Sequence, residues 1–260
     1  MIPYPNISPE IFKIGPLAVR WYGMMYLLGF LASYLLIRLQ IKEKGLAFGA
    51  DFVESLFSYL ILGLLFGARL GYVIFYNPGY YLNHPLEIFA VWQGGMSFHG
   101  GLIGTIAAGF LFSRKTFADF WLLSDLIAAT APIGIGLGRL GNFINSELYG
   151  RVTDVAWAMV FPSGGPLPRH PSQLYELFLE GFLLFGIMWF LKGRKFGSGV
   201  VSGLFLVFYG VFRFFVEFFR EPDAQIGFIL GFLTMGQILC GAMITAGLVI
   251  VRLRGRKSGG

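Results

Sequence analysis

Thirteen residues near the middle of the chain bring together groups that could hold a phosphate: Gly138-Arg139-Leu140-Gly141-Asn142-Phe143-Ile144-Asn145-Ser146-Glu147-Leu148-Tyr149-Gly150. They follow a long apolar run, Trp121–Leu137. An ionisable group beside hydrocarbon is costly, so it usually faces a cavity, a partner or a substrate. Arg139 offers a fixed cation, Asn142 and Asn145 offer amide donors, and the glycines let backbone approach a ligand closely. Other segments carry groups of the same kind. Gly94-Gly95-Met96-Ser97-Phe98-His99-Gly100-Gly101 holds a histidine among glycines. Tyr209, Arg213 and Glu217 recur every four residues, which places them on one helical face. Arg69 and Tyr22 lie within or beside further apolar runs.

The elements that position these groups are membrane spans. Seven are expected, near Val19–Ile37, Leu56–Phe75, Met96–Phe112, Trp121–Leu137, Leu174–Leu191, Val200–Phe219 and Ile229–Val251. The third is short and glycine-rich, so a tilted or partly re-entrant course is expected. Basic residues concentrate in alternate connections: Arg38, Lys42 and Lys44; Arg114 and Lys115; Lys192, Arg194 and Lys195; and the tail from Arg252 to Lys257. The positive-inside rule makes that side cytoplasmic, with the N-terminus outside and the C-terminus inside. The polar groups of five spans then converge at one depth, near the outer leaflet. Residues 147–173 read as a small outer cap within a single 1–260 membrane domain, with Ala156–Phe161 a candidate strand. The expected class is an all-α polytopic membrane protein.

Composition supports this reading. The chain of 260 residues is 56% apolar and only 13% charged, where soluble domains carry about 25% charge. The net charge of +6 could suggest nucleic acid, but its placement in short loops matches membrane orientation instead. No nucleic-acid partner is expected. The single cysteine, Cys240, lies in an apolar run and reads as an inert buried thiol. No Cys/His spacing suggests zinc, and neither a metal nor a cofactor is called for. The polar lead before Val19 lacks a basic n-region, so no cleavable signal peptide is expected.

With these residues assembled, the chain resembles the prolipoprotein diacylglyceryl transferases of bacteria, on the His-Gly-Gly segment, the Gly138–Gly150 signature and the seven spans. The resemblance implies a substrate pair: phosphatidylglycerol and the signal peptide of a preprolipoprotein with its lipobox cysteine. It implies transfer of the diacylglyceryl group to that cysteine, forming a thioether and releasing glycerol phosphate. It also implies a place in the bacterial inner membrane, with the active site toward the outer leaflet. The family's important residues match His99, Gly100, Arg139, Asn142, Glu147, Tyr209 and Arg213, and Tyr22 also corresponds.

That chemistry needs a thiolate, charge stabilisation on the departing phosphate and a dry site. Arg139 and Arg213 are the expected clamp, since guanidinium groups bind phosphate bidentately and stay charged near lipid. His99 has the right ordinary pKa for a general base. Alternatively it only hydrogen-bonds the headgroup, and the arginine field lowers the thiol pKa. Tyr22 and Tyr209 are candidates for orienting the lipid, with Gly100, Asn142 and Asn145 as further lipid contacts. Glu147 and Glu217 are expected to hold arginines in place and not to accept the proton.

Each assignment has a plainer alternative. Arg139 could mark a helix end, and Arg213 could simply pair with Glu217. Arg69 could be an inter-helix partner of a carboxylate, and Asp125 a buried polar link. His84 and His170, each beside proline, read as exposed turn residues. The rival function is a transporter or flippase for a phosphorylated lipid or other anion, whose expected internal repeat is absent from the sequence.

Overall fold

A computed structural model describes residues 1–5, 7–15, 17–221, 228–229 and 233–255. Arg256 and Lys257 of the expected cytoplasmic tail lie outside the described residues, as do positions 230–232 at the start of the seventh expected span. The chain is mostly helical and divides into two compact units, Met1–Ile37 with Asp125–Gly260, and Arg38–Ser124.

The first unit opens with a hairpin of β1 (Glu10–Ile14) and β2 (Leu17–Arg20), antiparallel, with Ile14 opposite Leu17. The first expected span therefore starts late: Val19 is in β2, and α1 runs Trp21–Glu43. At 1.5 Å per residue its 23 residues can cross a bilayer core of about 30 Å. The fourth expected span is broken. α5 (Phe120–Ala128) and α6 (Ala131–Ile144) meet at 44°. Pro132 is the cause: it has no N–H for the carbonyl of Ala128, and its ring crowds that turn. Asp125 then serves as the buried link foreseen for it. Its carboxylate accepts from Gly199 N, Ser202 N and Ser202 Oγ, each at 2.7 Å. A negative charge thereby caps the N-terminus of α9 (Val200–Val216).

The fifth span is one continuous helix of 20 residues, Ser172–Leu191. It comprises α7 (Ser172–Glu176), a π-helical segment Leu177–Leu183 and α8 (Leu184–Leu191). α9 is followed by a short hairpin, β3 (Phe228–Ile229) with β4 (Leu233–Thr234), and by α10 (Met235–Gly255), in which Cys240 is buried. The candidate strand at Ala156–Phe161 is realised only as a bridge, with Met159 and Arg169 exchanging both backbone bonds at 3.0 and 2.8 Å.

The second unit is built on α2 (Ala50–Tyr76) and α4 (Phe98–Thr116). Gly63, Gly67 and Gly71 repeat every four residues on α2 and meet Gly100 and Gly104 on α4. A Cβ on Gly71 would sit 2.7 Å from Gly100 Cα, so only glycine permits this approach. Gly100 is thus used in helix packing. α3 (Pro78–Asn83) and two 3-10 turns, Pro85–Phe89 and Val91–Gln93, return the chain from α2 to α4.

Among the described residues, four helices are long and apolar enough to cross a membrane, or five if the bent α5–α6 pair is one span. α9, at 17 residues, is a shorter apolar helix. Large apolar side chains remain exposed, Phe75 at 78% and Phe98 at 77% among them, as surfaces facing lipid require.

Candidate active site

α6 carries the signature further inside a helix than the sequence suggests: the helix ends at Ile144, so Arg139 and Asn142 lie within it. Tyr4 meets its last carbonyls, the Phe143 one already accepting from Ser146 N at 3.0 Å. The Tyr4 hydroxyl approaches the Phe143 and Ile144 carbonyls at 2.7 and 3.0 Å. Beyond the helix, Ser146 and Leu148 take left-handed backbone at φ 57°. That turn brings Glu147 back beneath the helix end. Its Oε1 accepts from Asn142 Nδ2 at 2.8 Å and Asn145 Nδ2 at 3.2 Å, and Gln173 Nε2 donates to its carbonyl at 2.6 Å. The two asparagines and Glu147 therefore brace one another. Glu147 holds asparagines, where an arginine partner was expected.

Arg139 finds its carboxylates on the fifth span instead. Its Nε lies 3.1 Å from Glu176 Oε2, and its Nη2 lies 3.7 Å from Glu180 Oε2. Tyr209 lies on the same face of α9 as Arg213, one turn away. Arg213 pairs with Glu217 at 2.6 Å, as its position one turn away on the same helical face predicts, and stands 3.6 Å from Glu176 Oε1. Arg220 closes the cluster, with Nη1 at 2.8 Å from Glu176 Oε1 and Nε at 3.7 Å from Glu217 Oε2. Thr234 Oγ1 donates to Glu217 Oε1 at 2.9 Å. The ion-paired set thus holds three arginines and three glutamates. Its exposure is graded. The Glu176 and Glu180 side chains are fully buried, while those of Arg139, Arg213 and Arg220 retain 20%, 16% and 16%. The arginine side chains are thus the more accessible members of the set, and Glu176 and Glu180 the closed ones.

Tyr22, in the first turn of α1, packs its ring where a Cβ on Gly141 would come within 2.9 Å, and its hydroxyl lies 3.1 Å from that of Tyr26. Gly150 is also constrained: a Cβ there would collide with Phe219 O and lie 2.8 Å from His170 Cβ. His170 is not the exposed turn residue that its proline neighbour suggests. It is partly buried, with its ring against Tyr175 and Phe219 and its Nδ1 3.0 Å from the Tyr175 hydroxyl. Burial pushes its pKa below the usual imidazole value.

The first unit brings together Arg139, Tyr209, Arg213, Glu217, Asn142, Asn145, Glu147 and Tyr22. His99, Gly100 and Arg69 belong to the second. There, His99 is exposed in the first turn of α4, whose N-cap Ser97 accepts from Gly100 N at 3.2 Å. Arg69 is buried, and its partners are backbone carbonyls where a carboxylate was expected: Ile88 at 2.8 Å, Glu87 at 2.6 Å, Gly94 at 2.6 Å and Gly95 at 3.1 Å. It fastens the turns that lead into the His99 segment.

Sequence reasoning missed Glu176, Glu180 and Arg220. The signal for the glutamates was present: two carboxylates four residues apart inside an otherwise apolar span demand a buried partner.

Fold and cluster define a helical, membrane-embedded protein with a buried, arginine-rich site. Residues 9–253 match the family model for prolipoprotein diacylglyceryl transferase, and the chain belongs to that family. Among its relatives are three proteins named phosphatidylglycerol–prolipoprotein diacylglyceryl transferase. The one from Geobacter sulfurreducens is 53% identical over 99% of both chains. That from Bordetella avium is 54% identical over 99% of this chain and 98% of its own, and that from Vibrio vulnificus strain YJ016 is 54% identical over 96% and 92%.

Proposed function

We propose that this chain transfers the diacylglyceryl group of phosphatidylglycerol to the lipobox cysteine of preprolipoproteins, the step that begins lipoprotein maturation. Family membership supports the transferase over the transporter alternative. The observation that carries the mechanism is the graded cluster, in which Arg139 and Arg213 are backed by the fully buried Glu176 and keep partly exposed side chains. Such groups suit a lipid phosphate at the outer leaflet.

In this reading the cysteine sulfur attacks the glyceryl carbon that bears the phosphate. The carbon–oxygen bond breaks with its electron pair on oxygen, and glycerol phosphate leaves. Arg139 and Arg213 stabilise the charge that gathers on the departing phosphate. Tyr209 and Tyr22 orient the headgroup, with Asn142, Asn145 and Glu147 shaping its floor. The thiol proton goes to His99 or to the leaving phosphate. Orientation follows the basic loops: seven spans, N-terminus and residues 147–173 outside as a small cap on one membrane domain, C-terminus in the cytoplasm of a bacterial cell.

The test is purified protein with phosphatidylglycerol vesicles and a lipobox peptide. Thioether product and released glycerol phosphate are expected. Movement of lipid between leaflets without product would overturn the assignment.

A further inference from the structure

The cluster is electrically balanced, with three guanidinium groups against three carboxylates. A phosphodiester brings one more negative charge into it. In a low-dielectric setting that excess is costly unless a proton arrives with it. The three glutamates differ in how well each holds a negative charge. Glu176 is shared by Arg139, Arg213 and Arg220. Glu217 has Arg213, Arg220 and a hydrogen bond from Thr234. Glu180 has one cation, Arg139 at 3.7 Å, and among the described residues neither of its oxygens takes part in a hydrogen bond. It is also fully buried.

Its seat in the π-helical segment explains why it cannot turn away. Gly181 and Gly136 meet closely, a Cβ on Gly136 falling 2.9 Å from Gly181 Cα, which holds the segment against α6. The groups around Glu180 are Arg139 from α6, Glu176 from α7, Tyr209 and Arg213 from α9, Arg220 beyond it, and Cys240 from α10. α8 supplies no titratable side chain.

We infer that Glu180 takes up one proton as the phosphatidylglycerol phosphate settles on Arg139, so that lipid binding and protonation are one coupled event. The bound phosphate replaces Glu180 as the second anion on Arg139, and the protonated carboxyl keeps the cluster neutral. The inference rests on the headgroup reading above.

The probe is dioctanoyl phosphatidylglycerol, titrated calorimetrically into the detergent-solubilised full chain in two buffers of different ionisation enthalpy. Uptake of about one proton per lipid is expected near pH 7.5, with affinity falling roughly tenfold per pH unit once Glu180 is ionised in the free protein. Glu180→Gln should bind with no proton uptake and with affinity independent of pH between 6 and 8. The wild-type measurement needs no variant, so a misfolded Glu180→Gln does not leave the question open. No proton uptake by the wild type, or undiminished uptake in folded Glu180→Gln, overturns the inference. Arg139→Ala separates the two levels. If it binds lipid as the wild type does, the headgroup reading itself fails. If it loses binding while the wild type takes up no proton, only the role of Glu180 fails.

Discussion

At the scale of single residues, the guanidinium groups matter for shape as well as charge. Arg139 reaches Glu176 through Nε and Glu180 through Nη2, a forked arrangement that lysine cannot reproduce. Arg139→Lys should therefore lose turnover by roughly 10²-fold or more, as for an electrostatic contact made mainly in the transition state. Folded Arg139→Ala within threefold of the wild-type rate would remove it from catalysis. Glu176 is the shared counter-charge of three arginines and is fully buried. Glu176→Gln leaves them without it and should lower stability by about 3–5 kcal/mol, read as thermal unfolding in detergent. His99 separates by pH. If it accepts the thiol proton, His99→Gln keeps lipid affinity, loses turnover and recovers partly at alkaline pH, where more thiol ionises unaided. If it binds the headgroup, affinity falls and alkali gives no selective rescue. A pH–rate profile beside a lipid titration distinguishes the two.

At the scale of elements, the segment preceding the fifth span is tied to it by a short hydrogen-bonded chain. Trp157 Nε1 donates to the Tyr175 hydroxyl at 2.7 Å, and that hydroxyl can donate to His170 Nδ1 at 3.0 Å. The chain needs a neutral imidazole. Because burial lowers the folded pKa of His170, its contribution to stability is present above the unfolded value near 6.5 and is lost as pH falls through the folded value. Trp157 fluorescence should change on acidification below about pH 6.5, and His170→Phe should abolish that change. In the second unit the α2–α4 crossing sets the limits. A Cβ on Gly67 would fall 2.7 Å from Gly104 Cα, so Gly67→Leu should cost about 1–3 kcal/mol or more by forcing the helices apart. The expected readout is a lowered unfolding temperature of the full chain. An unchanged temperature would mean the crossing tolerates the bulk.

At the scale of the whole molecule, orientation decides which leaflet supplies the lipid. In a Cys240→Ser background, a cysteine at position 145 should react with an impermeant reagent from outside, and one at position 194 only from the cytoplasm. Labelling of position 145 from the cytoplasmic side alone would reverse the orientation and with it the substrate assignment. Among the described residues, four helices satisfy length and hydropathy by themselves. Pro132 divides the fourth span, and α9 ends at Val216, where Arg213 and Glu217 pair across its last turn.

The sequence by itself determined the membrane class and the mostly helical build. Hydropathy and charge placement are local quantities, readable without knowing what packs on what. The signature around Arg139, the face shared by Tyr209, Arg213 and Glu217, and the buried link at Asp125 were legible for that reason. Partnership was not. Only the tertiary structure decided that Arg139 turns to Glu176 and Glu180 and leaves Glu147 to the asparagines, that Arg69 is spent on carbonyls, and that Tyr4 closes a helix 139 residues away in sequence. A buried charge binds whichever opposite charge or carbonyl the crossing of helices brings within about 3–4 Å. That crossing is set by contacts such as Gly136 with Gly181, whose consequence for side-chain pairing appears only in three dimensions.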